Sequence, residues 1–180
     1  LLIGCAVPLT ETDAPPATPA ETLTAAPTET PVTGAALLGR GVNLGNALEA
    51  PREGDWGLVL EEGYFDLIAD AGFDSVRVPI RWHAYAALEP PYTLSETILE
   101  RVDWVVARAL SRGLNAVINV HHYQALIDDP AGQRERFLAI WRQIAERYAD
   151  EDERVFFEVL NEPNGALEGA LWNRVLAEAI

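Results

Sequence analysis

Val155-Phe156-Phe157-Glu158-Val159-Leu160 runs directly into Asn161-Glu162-Pro163, and the reading of this stretch decides the fold. A run of that length, rich in β-branched and aromatic residues, predicts a buried strand over 155–160. Glu158, inside the run, is expected to face solvent or a neighbouring helix. The Asn-Glu pair then stands where the strand opens into a loop, and Pro163 stiffens the exit by fixing φ. A carboxyl held rigidly at a strand end, half out of water, can be kept protonated near neutral pH and used as a general acid.

Working outward, strands and helices alternate. Gly41-Val42-Asn43-Leu44 is a short strand, and a helix is predicted from Gly57 to Ala71 with Phe65 and Ile68 on one face and Gly72 as its stop. Ser75-Val76-Arg77-Val78 is the second strand, closed by Pro79. A second helix runs from about Glu96 to Arg112 with an apolar stripe of Ile98, Val102, Val105 and Ala109. Ser95 is placed to cap it and Gly113 to end it. Ala116 to Val120 forms the third strand. Phe137, Ile140, Trp141, Ile144 and Tyr148 mark a third helix, and Leu171 to Ile180 begins a fourth. The turn Gly72-Phe73-Asp74-Ser75-Val76 returns one unit later as Gly113-Leu114-Asn115-Ala116-Val117, each time where a helix ends and a strand begins.

Strands alternating with amphipathic helices predict an α/β fold with a parallel sheet and right-handed crossovers. Four such units fill residues 39–180, so eight would need roughly 280, near the ~250 of a TIM barrel. A small doubly wound sheet is the alternative. The polar residues decide for the barrel, because each strand delivers them at or beyond its C-terminal end: Asn43, Asn46 and Glu49; Arg77, Arg81 and Trp82; His121 and His122; Asn161 and Glu162. In a (β/α)8 barrel those ends converge on the face where active sites are built. No Gly-rich phosphate fingerprint follows the first strand, since Gly41-Val42-Asn43-Leu44-Gly45 has the wrong spacing and no helix behind it. A carboxyl at such a position is half of what cleaving a glycosidic bond usually takes.

The segments Asn43-Leu44-Gly45-Asn46, Arg77-Val78-Pro79-Ile80-Arg81-Trp82, His121-His122-Tyr123 and Asn161-Glu162-Pro163 together resemble glycoside hydrolase family 5, with bacterial endoglucanases and mannanases nearest. The likeness spans Gly39 to Ile180. It implies a TIM barrel of which this chain carries about the first four βα units, the N-terminal half of a catalytic barrel over 37–180. It implies retaining hydrolysis of β-1,4-linked polysaccharide, glucan or mannan, with no metal and no cofactor. By the resemblance Glu162 is the acid/base, Asn161 holds the sugar 2-hydroxyl, and Arg77 pairs with the nucleophilic carboxylate; His121 and His122 line the site. Asn46 and Glu49 resemble substrate contacts, and Trp82 and Tyr123 are candidates to stack on sugar rings. The family's nucleophile closes the seventh strand and does not carry over, so this stretch alone is expected to be inactive. No carboxylate within the chain is expected to serve Arg77. A half barrel would also expose the edges of its first and fourth strands, an aggregation hazard.

Other features bound the partners. Thirteen Lys+Arg against 28 Asp+Glu give a formal charge of −15, which argues against nucleic acid. A metallohydrolase barrel would want His-x-His rather than adjacent His121 and His122. Adjacent residues on a strand point to opposite faces, so at most one of the two faces the barrel unless the strand end twists. Cys5 is the only cysteine and follows Leu2-Ile3-Gly4, which looks like the lipobox at the end of a bacterial signal peptide (1–5). The chain has no Met and is expected to start inside a longer product. Residues 6–36, rich in Pro, Thr and Ala, are expected to form an extended tether. The expectation is a monomeric, lipid-anchored, cell-surface glycosidase. The competing expectation is a lipid-anchored glycan-binding protein on the same fold that has lost a carboxylate.

Overall fold

The computed structural model describes residues 37–180; Cys5 and the 6–36 tether lie outside the described residues. The elements in chain order are β1 (Gly41–Asn43), α1 (Glu62–Asp70), β2 (Ser75–Ile80), α2 (Glu96–Ser111), β3 (Asn115–Val120), a short α3 (Gln124–Asp128), α4 (Pro130–Arg147), β4 (Val155–Glu158) and α5 (Gly169–Ala179). A 3-10 turn over Trp82–Tyr85 follows β2.

All strand pairs are parallel and the sheet order is β1-β2-β3-β4. This order separates the two candidate architectures. A doubly wound sheet reverses its strand order at a switch point, whereas consecutive order with right-handed crossovers puts every helix on one face. The helix-side residues Val76, Val78, Ile80, Ala116, Ile118 and Val120 are completely buried. They pack with Phe65 of α1, Ile98, Val102 and Val105 of α2, and Phe137, Ile140 and Ile144 of α4 in one core. The alternate residues on the opposite face include Asn43, Arg77, Asn119 and Glu158, which are polar. The fold is the first four βα units of a (β/α)8 barrel, with the polar face as the inside of the arc.

The recurring turn has a structural cause. Gly72 and Gly113 sit in the left-handed region at φ 78° and 76°. At the end of α1, Gly72 donates to the Ala69 carbonyl and Phe73 to that of Ile68; at the end of α2, Gly113 donates to Leu110 and Leu114 to Ala109. Both are Schellman motifs, which satisfy the last helical carbonyls and need a residue without a Cβ penalty at the turn. Asn115 then donates its N–H to the Asp74 carbonyl at 2.9 Å, so the two copies start neighbouring strands in register.

Several boundaries differ from expectation. Helix α1 begins at Glu62 rather than Gly57, because Glu53 accepts the Leu60 N–H and Arg101 clasps both Glu53 and the Leu60 carbonyl. These bonds keep residues 58–61 out of the helix, with Glu61 extended ahead of it. Pro79 lies inside β2, not after it. Its missing N–H faces β1, which has already ended opposite Arg77, so no ladder bond is lost. Strand β4 stops at Glu158, two residues early, because the Val159 carbonyl turns to accept the Trp141 indole N–H at 2.9 Å. Ser95 occupies the α2 N-cap position but makes no side-chain cap bond. Asp129 does cap α4, accepting the Gly132 N–H at 3.0 Å ahead of Pro130 at the first helical position. Trp141 is buried as expected, whereas Trp104 is only half-buried, its ring covered by the Arg101 guanidinium 4.3 Å from the centroid.

Candidate active site

Arg77, at the centre of the polar face, donates Nε–H to Glu158 Oε2 at 2.6 Å and Nη2–H to Glu158 Oε1 at 2.8 Å. Its Nη2 also donates to Asn161 Oδ1 at 2.9 Å, and Nη1 to Asn43 Oδ1 at 2.8 Å. A guanidinium has five N–H donors and no acceptor, so one donor remains. Here an expectation is corrected: a carboxylate of this chain does serve Arg77, and it is Glu158. Glu158 projects to the inner face because it stands opposite Asn119, alternate to Phe157, which pairs with the buried Ile118 on the helix side. Arg77 is held above the ordinary arginine range, chiefly by the hydrogen bonds to Glu158. For Glu158, burial pushes the carboxyl up, but bonds from Arg77 and Asn119 outweigh it and hold it below the usual range.

The same bonds fix the orientation of Asn161. An arginine only donates, so the amide oxygen must face it, and the Nδ2 donors point away. The Asn161 N–H in turn is tied to the Val120 carbonyl at 2.9 Å, which locks the residue beside the end of β3.

Asn119 is fully buried and extends the network. Its Nδ2 lies 3.2 Å from Glu158 Oε1 and 3.3 Å from His121 Nδ1. With Asn119 donating, His121 accepts at Nδ1 and carries its proton on Nε2. Burial first, then repulsion from His122 and Arg77, lowers the His121 pKa and keeps it neutral. His122 has φ 53°, and this left-handed step, not strand alternation, brings the two rings to 4.4 Å edge-to-face. Both histidines therefore share one side.

Glu162 also takes a left-handed backbone, φ 46°, and its carbonyl accepts the Asn164 side chain at 2.7 Å. Its carboxyl stands exposed beside a pocket of about 120 Å³ lined by His122, Gln124, Asn161 and Asn164, among others. Thus Arg77, His121, His122, Asn161 and Glu162 gather at one end of the sheet. On the first loop, Asn46 is exposed at φ 63°, and Glu49 accepts the backbone N–H groups of Asn46 and of Ala47, the latter at 3.0 Å. Glu49 is 4% exposed, so its carboxylate is committed to holding that turn.

Two aromatic candidates are not available to a sugar. Trp82 is completely buried and gives its indole N–H to the Asn119 carbonyl at 3.0 Å. Tyr123 is 1% exposed, stacked on His83 at 4.4 Å and bonded through its hydroxyl to Gln133. Both follow strand ends, but the chain turns their rings into the helix layer. Trp56, by contrast, is 46% exposed and stands edge-on to His122 at 5.8 Å, which places it on the site's rim. Among the described residues no cluster of His, Cys, Asp and Glu could hold a metal ion.

The family model described as cellulase (glycosyl hydrolase family 5) matches residues 37–180. The chain belongs to glycosyl hydrolase family 5. Similar proteins include Endoglucanase H of Acetivibrio thermocellus, 46% identical over 128 residues, which cover 71% of this chain and 14% of that protein. Endoglucanase B of Ruminococcus albus is 32% identical over 148 residues, covering 76% of this chain and 36% of the relative. Among solved structures, Thermotoga maritima Cel5A, determined with mannotriose and with cellobiose, superposes with a TM-score of 0.78 at 55% identity, over 79% of this chain and 46% of that one. The chain spans less than half the length of these relatives. Two members of the polar network, Glu158 and Asn119, escaped sequence reasoning. The signal for both was a polar side chain inside an apolar strand run, as at Arg77.

Proposed function

We propose that the full-length protein is a retaining endo-β-1,4-glucanase that also accepts β-mannan. The observation that carries this reading is the placement of Glu162 beside Asn161, whose amide donors are turned outward by Arg77. Family membership and the names of the relatives, endoglucanases among them, support it, as do the two sugars found with Thermotoga maritima Cel5A. In this mechanism a second carboxylate attacks the anomeric carbon while Glu162 protonates the departing glycosidic oxygen. Glu162 then takes a proton from the water that releases the sugar. Asn161 Nδ2 donates to the 2-hydroxyl, a bond that tightens as the ring flattens toward the oxocarbenium-like transition state. His121, neutral with its proton on Nε2, offers a further donor to a sugar hydroxyl. The reaction needs no metal and no cofactor.

Replacing Glu162 by Gln in the full-length protein should lower turnover of carboxymethylcellulose and glucomannan by at least 10²-fold while polysaccharide binding persists. Unchanged turnover overturns the assignment. Attachment of the protein to the cell surface through a lipidated Cys5 belongs to the same proposal, supported by Leu2-Ile3-Gly4-Cys5 and the Pro/Thr-rich run after it. Cys5→Ala should release the protein from the membrane fraction and abolish palmitate labelling; membrane retention of the variant refutes the anchor.

A further inference from the structure

Among the described residues, Glu158 is the one side chain that touches both branches of the polar network. Through Arg77 it is connected to the Asn161 amide; through Asn119 it is connected to His121 Nδ1. Each branch ends in a donor that makes no hydrogen bond among the described residues, Asn161 Nδ2 in one and His121 Nε2 in the other.

We infer that Glu158 is a positioning residue that sets the direction of two substrate-facing donors at once, the Asn161 amide through Arg77 and the His121 Nε2–H through Asn119. This rests on the glycosidase reading above. The chemistry follows from donor and acceptor counts. Arg77 and the Asn119 amide nitrogen can only donate, so the group between them must accept on both sides. A carboxylate does this with two oxygens. It takes the Arg77 fork with both and the Asn119 Nδ2–H with Oε1. The Arg77 guanidinium is then fixed in plane, and its second Nη2 proton has one direction left, toward Asn161 Oδ1. On the other branch, anchoring Asn119 Nδ2 at Glu158 leaves its remaining proton for His121 Nδ1, which selects the tautomer with hydrogen on Nε2.

A glutamine at 158 keeps the shape but puts an NH2 where an acceptor is needed. At the Oε1 position it faces both the Arg77 Nη2 and the Asn119 Nδ2 donors and releases both branches; at the Oε2 position it faces Arg77 Nε–H and undoes the fork that holds the guanidinium in plane. A displacement of about 1 Å in a catalytic donor costs on the order of 10²-fold in rate.

The test is a pair of double-mutant cycles in the full-length protein, read as kcat/KM on a cello-oligosaccharide, with thermal unfolding to verify folding. E158Q alone should lose on the order of 10²-fold, mostly in kcat. The factor lost on adding E158Q should shrink several-fold in an N161A background, and likewise in an H121A background, because the donor it positions is already gone. Equal factors in all backgrounds would mean a purely structural role and overturn the inference, as would full activity of a folded E158Q. Should E158Q fail to fold, E158D, which keeps the charge and withdraws it by one methylene, carries the same cycles with the same two outcomes. Glu162→Gln is measured beside them. If it leaves turnover intact, the glycosidase reading has failed; if it abolishes turnover while E158Q is neutral, only the positioning role has.

Discussion

At the scale of single residues, the polar side chains inside apolar strand runs carry the site. Arg77 was legible as one of them because it opens a distinctive Arg-Val-Pro-Ile-Arg-Trp segment. Glu158 was not, since a single acidic residue in a strand reads equally well as solvent-facing until the neighbouring strands' register is known. Trp82 and Tyr123 failed for a related reason: an aromatic residue after a strand can turn either toward the cleft or into the helix layer, and the sequence does not say which. The burial of Tyr123 brings His83 with it. Burial, then the charges of Arg81 and Arg136 and of His122, lowers the His83 pKa from 6.5 to about 4. Below pH 6.5 the unfolded chain takes up a proton that folded His83 refuses. Its contribution to stability is thus complete above 6.5 and declines as the pH falls toward about 4. His83→Phe keeps the stack on Tyr123 and removes the titration, so its unfolding midpoint should fall less steeply than the wild type's between those values. Parallel curves would show that His83 does not govern acid stability.

At the scale of elements, the helices and strands followed their periodicity, and their ends followed hydrogen bonds that periodicity cannot report. The stop signals were the exception, because glycine is read directly: Gly72 and Gly113 end α1 and α2 by the same Schellman geometry. A Cβ added at Gly113 meets nothing within 4 Å, so Gly113→Ala isolates the backbone cost of the left-handed turn, about 1 kcal/mol. That corresponds to a fall of about 2–4 °C in the midpoint of a chain this size. No change would mean the turn relaxes without glycine. The ends of α1 and β4 were hidden because tertiary partners, Glu53 with Arg101 and the Trp141 indole, set them. The 3-10 turn at Trp82–Tyr85 and helix α3 are too short for any period to register. The shared side of His121 and His122 was likewise outside the reach of strand alternation, since it comes from the positive φ of His122.

At the scale of the whole molecule, the barrel was legible from polar residues collecting at one end of successive strands, and the consecutive strand order bears that out. What the sequence could not convey is how the arc is held. Strands β2 and β4 are not paired through their backbones; β3 lies between them. In a flat sheet their backbones would stand roughly 10 Å apart. The Arg77–Glu158 pair spans that gap on the concave side, with Asn119 of β3 bonded beneath it. It acts as a chord drawn across an arc: shortening a chord tightens the bend, and cutting it lets the bend open. One side-chain pair therefore ties β2 to β4 and, through its further bonds, holds Asn161 and the Asn119–His121 contact, so a substitution that loosens this wall also loosens the polar residues at its rim.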